Sequence, residues 1–245
     1  KETITIGVIG LGNAGAPILN NLYQSDSKYK LVAFDLDAKK LNNVSNGVIK
    51  ASSIKDLSRQ CKVVITCLPK PENVLDVVDG NEGLLENASP EMIWIDTSTT
   101  DFKQTQNLSK KAAKYKISML EATLTGGVHA LRNNNMVCLA GGDTNTFNTW
   151  KKVLQDAIGE VVVLCGGIGA GAIAKVVSNM LAFTNMVAAS ECMMIAKKAG
   201  LDLESFFDAI RVSAGNSFAW ETVVPHIFNQ KYEAGFTMDL ACKDM

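Results

Sequence analysis

At 245 residues, 47% of them hydrophobic, the chain is long enough for two ordinary domains or one large one and has ample material for a core. Its 24 Lys plus Arg balance 25 Asp plus Glu, so no net field draws it to nucleic acid or to an anionic membrane, and no low-complexity tract points to disorder. Six cysteines without a CxxC pair, and only two histidines, His129 and His226, leave a metal site or a Ser-His-Asp hydrolase with few candidates; no metal is expected.

The first pattern is a strand-like apolar run over residues 3–9. It meets Gly10, Gly12 and Gly15, after which Ile18, Leu19 and Leu22 recur at helical spacing. In such a strand-to-helix turn the first glycine permits the tight bend, the second lets the backbone approach a pyrophosphate, and the third allows close packing of helix on strand. Gly10, Leu11, Gly12, Asn13, Ala14 and Gly15 are therefore the expected cradle for a dinucleotide. The motif also requires an acid roughly 20 positions on. The next strand-like run, 30–34, ends at Asp35, whose carboxylate would bond the adenosine ribose hydroxyls and repel a 2′-phosphate. NAD is thereby favoured as cofactor; Lys39 and Lys40 offset part of the repulsion and keep NADP open.

Further strand-like runs cover 63–68, 92–95, 118–122, 136–140 and 161–165, separated by stretches long enough for crossover helices. That alternation predicts an α/β fold, a Rossmann-type doubly wound and mostly parallel sheet. After "CGGIGAG" the texture changes, and from Ala170 onward only helical patterning remains. We expect a dinucleotide-binding Rossmann domain over 1–166 and an all-helical substrate and dimerisation domain over 167–245, incomplete at its C-terminus.

Lys175 stands in the opening turns of the first helix of that second part, where a cation opposes the positive end of the helix dipole. A merely structural lysine is disfavoured there. Asn179 follows one turn along the same face, so the pair points at one site. A lysine whose pKa is lowered in a dry cleft suits general acid/base work. The stretch 176–196 is apolar enough for a membrane span but carries Ser178, Asn179, Thr184, Asn185, Ser190 and Glu191, a heavy polar load for hydrocarbon. It is expected to be a long helix buried in protein, not in a membrane. Apolar residues on most of its sides predict a homodimer, or a tetramer, built on the helical domains. The cysteines, spread through apolar segments, read as buried free thiols, and the opening strand pattern is not expected to be a signal peptide. A cytoplasmic protein is expected, with the mitochondrial matrix as the other compartment.

Six ordered blocks resemble the β-hydroxyacid dehydrogenase family, its 3-hydroxyisobutyrate branch above all: "IGLGNAGAPILNNL", "VVITCLPKPENVLDVV", "IDTSTTDF", "EATLTGGVHALRNNNMVCLAGG", "GAGAIAKVVSNML" and the terminal "CKDM". The resemblance implies that Leu68 and Pro69 lie against the cofactor, that Asn73 contacts it, and that Thr99 sits beside its nicotinamide end. It implies that Thr125, Gly126 and Gly127 hold the substrate carboxylate with hydroxyl and backbone N–H groups. Lys175 becomes the general acid/base and Asn179 its helper, orienting the substrate hydroxyl or the ammonium. Lys243 and Asp244 match a Lys-Asp pair whose lysine reaches toward the cofactor, with Phe236 on the approach, and family members continue through further helices beyond Met245.

The implied activity is hydride transfer between NAD and a small β-hydroxy acid, the small-molecule partner. Ala14 for Met or Gln, Thr125 for Ser, and the bulky "HALRNNN" depart from the family pattern and leave substrate identity open. "SAGNSFAWETVVPHIF" looks more like the threonate and semialdehyde branches. There Ser217, Trp220 and His226 are candidates for the substrate pocket, and Phe218 and Trp220 for core. The alternatives are an NADPH-dependent reductase of tartronate or succinic semialdehyde and a threonate dehydrogenase. A non-catalytic dinucleotide sensor and an imine reductase are disfavoured by Lys175.

Overall fold

The computed structural model describes residues 3–126 and 128–230, the side chains of Val128 and His129 excepted. The chain divides into two compact units, residues 1–175 and 176–245. The first unit alternates strands and helices: β1 (Thr5–Ile9), α1 (Gly15–Gln24), β2 (Lys30–Phe34), α2 (Ala38–Asn42), β3 (Ile49–Lys50), α3 (Ile54–Gln60) and β4 (Val63–Thr66). Then come α4 (Pro71–Asp79), α5 (Leu84–Asn87), β5 (Ile93–Asp96), α6 (Phe102–Lys114), β6 (Ser118–Thr125), α7 (Val128–Arg132), β7 (Val137–Gly142), α8 (Thr144–Ala157) and β8 (Val162–Gly166). The long α9 (Ala170–Lys198) follows, with α10 (Leu203–Arg211) and α11 (Phe218–Phe228) behind it.

The eight strands form one sheet in the order β3-β2-β1-β4-β5-β6-β7-β8. All pairs are parallel except β6 with β7. Successive strand residues enter opposite cores, as the pleat dictates. Ile6, Val8, Val63, Ile65, Leu120 and Ala122 pack with Ile18, Leu22 and Leu154 of α1 and α8. Ile9, Val64, Trp94 and Met119 pack on the other face with Leu57, Val74, Leu84 and Leu108 of α3 to α6. Strands buried on both faces read as continuous apolar runs, which is why most of them were legible. The chain leaves β1 toward β2 and later returns to β4, so the strand order reverses between β1 and β4. In open α/β sheets that switch point opens the ligand crevice at the C-terminal edge.

Four features depart from what the sequence leads one to expect. β3 carries no sequence signal, because two residues cannot display a period. The segment 126–136 is too short for a crossover, so β7 returns antiparallel to β6, and β6 extends to Thr125 to pair with Val137. Cys61 and Cys138 are buried, but Cys165 and Cys192 are exposed. The fourth concerns α9, which is not enclosed: Met180, Leu181, Val187, Met194 and Ile195 are each more than half exposed. Among the described residues it is the one helix long and apolar enough to cross a membrane.

In the second unit Ala189, Met193, Trp220 and Val224 form the core, with Phe206 and Phe207 against it. The Trp220 ring stacks on Phe207 at 5.9 Å, and its Nε1–H donates to the Phe207 carbonyl at 3.2 Å. Trp220 is thus core, not a pocket residue. Ser217 caps α11 by accepting the Trp220 amide at 3.0 Å, while Phe218 and His226 face solvent.

Candidate active site

The glycine turn follows β1 at the switch point. Gly10 has φ +91° and closes on the neighbouring strand exit, for a Cβ there would lie 2.3 Å from the Cys67 carbonyl oxygen. A Cβ on Gly15 would lie 1.8 Å from the Gly10 carbonyl, so α1 could not start this close to β1 with any side chain. Gly12 differs, since a Cβ there would meet nothing within 4 Å. Internal packing therefore explains Gly10 and Gly15 but not Gly12, whose bare backbone faces open space at a helix N-terminus. That is the geometry an approaching pyrophosphate requires, and the turn fits a dinucleotide.

Asp35, at the exit of β2, is tied into this turn. Its Oδ2 accepts the Leu11 amide at 2.6 Å, and its Oδ1 accepts the Asp37 amide at 2.8 Å. Lys40 Nζ lies 3.3 Å from the same carboxylate. Burial would raise the Asp35 carboxyl, but these donors outweigh it and hold it below the ordinary carboxylate range. Leu11 itself is buried in the core with its amide committed to Asp35, so among the cradle residues Gly12 and Asn13 are the exposed ones.

The exits of β4 and β5 are stitched together beside that turn. The Leu68 amide donates to Ser98 Oγ at 3.0 Å, and the Thr97 hydroxyl to the Thr66 carbonyl at 2.8 Å. Beneath them Trp94 Nε1–H donates to Thr66 Oγ1, which donates to Asp96 Oδ1, at 2.9 and 2.8 Å. Burial pushes the Asp96 carboxyl up to about 6 against hydrogen bonds from Ser98 and Thr66 that lower it. Leu68, Asn73 and Thr99 are half-buried and Pro69 is exposed, all beyond the C-terminal ends of β4 and β5. Cys67, between them, has its thiol raised to about 11 by burial, which makes it a filler and not a nucleophile.

β6 runs past the end of β5 and delivers Thr125, half-buried, and Gly126, at φ +120°, to the same edge. One turn into α9 comes Lys175, half-buried, and four residues later the buried Asn179. Gly127, Phe236, Lys243 and Asp244 lie outside the described residues.

A family model for the NAD binding domain of 6-phosphogluconate dehydrogenase matches residues 5–167. A second, for the NAD-binding of NADP-dependent 3-hydroxyisobutyrate dehydrogenase, matches 169–245. Mitochondrial 3-hydroxyisobutyrate dehydrogenase of Rattus norvegicus is 30% identical over 98% of this chain and 73% of its own length. The chain belongs to the β-hydroxyacid dehydrogenase family. L-threonate dehydrogenase of Cupriavidus necator is 28% identical over 98% of this chain and 80% of its own. A solved structure of Mycobacterium tuberculosis 3-hydroxyisobutyrate dehydrogenase with L-serine gives a TM-score of 0.90 at 29% identity, covering 99% of this chain and 84% of that one. This β-hydroxyacid dehydrogenase is an NAD(P)-dependent oxidoreductase of a 3-hydroxy acid.

Sequence reasoning passed over several residues of the site. Ser98 and Asp96 sit inside the quoted block "IDTSTTDF", but their bonds across to β4 carry no local signal. Arg132 joins Lys40 in lining a cavity of about 490 Å³ against Gly12 and Asn13, a proximity only the fold creates. Glu121 did carry a signal, an acid amid the apolar "SMLEATLT" of β6.

Proposed function

We propose that the chain oxidises a small β-hydroxy acid of the 3-hydroxyisobutyrate kind with NAD, using Lys175 as general acid/base. Residues 1–166 serve as the dinucleotide-binding domain and 167–245 as the substrate and dimerisation domain. Bound nicotinamide supplies the two-electron acceptor. Gly12 and Asn13 receive the pyrophosphate, Asp35 the adenosine ribose, and Leu68, Pro69, Asn73, Thr99 and Lys243 flank the rest of the dinucleotide. Thr125, Gly126 and Gly127 hold the substrate carboxylate through a hydroxyl and backbone amides. Lys175, as the amine, takes the hydroxyl proton onto Nζ while the carbinol carbon gives up its hydride, leaving a carbonyl. Asn179 orients the hydroxyl or the resulting ammonium. The observation that carries this reading is Lys175 itself, a half-buried lysine on the second turn of the 29-residue α9 with the buried Asn179 one turn further along the same face.

Lys40, 3.3 Å from the Asp35 carboxylate, favours a second reading, an NADPH-dependent semialdehyde reductase. A 2′-phosphate repelled by Asp35 would meet a cation beside it. Homodimers built on α9 account for its exposed apolar residues, since a helix apolar on most sides needs cover. The cytoplasm suits its free cysteines, with a mitochondrial location, as in the name of the rat relative, the other reading.

A panel of 3-hydroxyisobutyrate, threonate, serine, 4-hydroxybutyrate, glycerate and tartronate semialdehyde, each with both cofactors, tests the assignment. The highest kcat/KM is expected for 3-hydroxyisobutyrate with NAD. A maximum for a semialdehyde with NADPH would establish the second reading. Absence of hydride transfer with every pair would overturn both.

A further inference from the structure

Glu121 is an acid only 3% exposed, in the middle of an apolar strand. Its Oε2 accepts the amides of Gly169 and Gly171 at 2.7 and 3.2 Å. The carboxylate thus caps the first turn of α9 from the sheet, where the glycines of "GGIGAG" offer no capping side chain of their own. Space is kept for it from two sides. A Cβ on Gly141 would lie 2.1 Å from Oε2, and a Cβ on Gly171 would lie 3.3 Å from Oε2 and 2.9 Å from the Leu139 carbonyl. Thr123 projects from the same face of β6 and has its Oγ1 2.9 Å from the Leu139 carbonyl and 3.1 Å from that of Gly171. Gly141 in β7 and Gly171 in the first turn of α9 are therefore kept bare by a carboxylate reaching in from β6, unlike Gly12, which opens outward.

We propose that Glu121 is a positioning residue for Lys175, holding the first turn of α9 on β6 and β7 so that the lysine one turn later stands in register with the substrate loop that ends β6. The proposal rests on Lys175 being the general acid/base. The chemistry of the clamp points the same way, because both groups around Oε2 are donors and a buried acceptor there is matched to them. Keeping an acid in a strand core is costly unless its bonds serve to fix something. What these bonds fix is the start of one helix, and the reacting side chain lies on its next turn. Misplacing a reacting group by about 1 Å lowers turnover by up to about 10²-fold, so a clamp on the backbone beside it has a catalytic consequence.

Glu121→Leu fills the same volume without an acceptor, and Glu121→Gln keeps one oxygen for the two amides. Glu121→Leu is expected to lower kcat on the order of 10- to 100-fold while the dissociation constant for NADH stays within about twofold, and Glu121→Gln to keep kcat within about threefold of wild type. Repeated in a Lys175→Ala background, Glu121→Leu is expected to cost nothing further, because the residue it positions is gone. Thr123→Val, which removes the second tie to Gly171, repeats the test with a smaller loss if Glu121→Leu does not fold. Wild-type kcat in Glu121→Leu and Thr123→Val, or an equal loss with and without Lys175, would overturn the positioning role. Full turnover in Lys175→Ala alone would instead overturn the general acid/base reading.

Discussion

The Leu11 amide donates to the Asp35 carboxylate at 2.6 Å, so the acid at the end of β2, proposed as the ribose acceptor, also braces the glycine turn. Removing it has two consequences of different selectivity. Asp35→Ala loosens the turn for either cofactor, but it takes away the ribose acceptor for NAD and the phosphate repulsion for NADP. The NAD dissociation constant is expected to rise roughly tenfold or more, as for a lost charged hydrogen bond, and that for NADP distinctly less. Titration calorimetry giving equal losses would remove Asp35 as the discriminator.

Lys40 sets the opposite bias. Its ion pair with Asp35 is solvent-facing, with the lysine side chain 43% exposed, so Lys40→Ala should leave stability nearly unchanged. NADP affinity should fall roughly tenfold against NAD, because a phosphate loses its cation while Asp35 keeps its charge. An unchanged NADP-to-NAD ratio would mean that Lys40 does not reach the 2′ position.

Asp96 gives a pH signature. Its carboxyl is raised to about 6 by burial, so its contribution favours the native state most fully below the unfolded value near 4 and is lost as pH climbs to 6. Over that window the penalty grows to roughly 3 kcal/mol. Asp96→Asn keeps an oxygen for the Thr66 hydroxyl and the Ser98 amide and abolishes the titration. Denaturant midpoints at pH 4 and pH 8 should therefore show the variant gaining on wild type at pH 8. A constant difference between the two across that range would contradict the burial of an ionised Asp96.

Much of this was legible in the order of residues, for reasons that differ from element to element. The glycine turn and Asp35 were readable because strand, turn, helix and acid must follow in fixed order along the chain. The parallel strands were readable because burial on both faces makes an uninterrupted apolar run. β3 had too few residues to show a period, and the antiparallel return of β7 followed from a link whose shortness only the strand ends reveal. Trp220 and Phe218 looked alike in sequence, yet one is core and the other exposed, since facing is decided by α10 packing against α11. Glu121 and Gly171 are 50 residues apart in the chain, and no local pattern joins them.

Exposed apolar residues on α9 bear on assembly. Val187 and Ile195 are 60% and 66% exposed in the single chain, and a second copy packed on α9 would bury them. Light scattering at micromolar concentration should return twice the 26.3 kDa chain mass or a multiple of that, and Ile195→Asp should shift it toward the monomer. A wild-type monomer would contradict the homodimer.

Lys175, as the proposed carrier of the reacting hydroxyl's proton, is probed by single-turnover kinetics of Lys175→Ala. With NAD and the best substrate of the panel, the rate of NADH formation should fall by about 10² to 10⁴-fold, the range for a lost general acid/base, while fluorescence titration returns an NADH dissociation constant close to wild type. A rate within a few-fold of wild type, with cofactor bound, would place the proton transfer on another group and contradict the account.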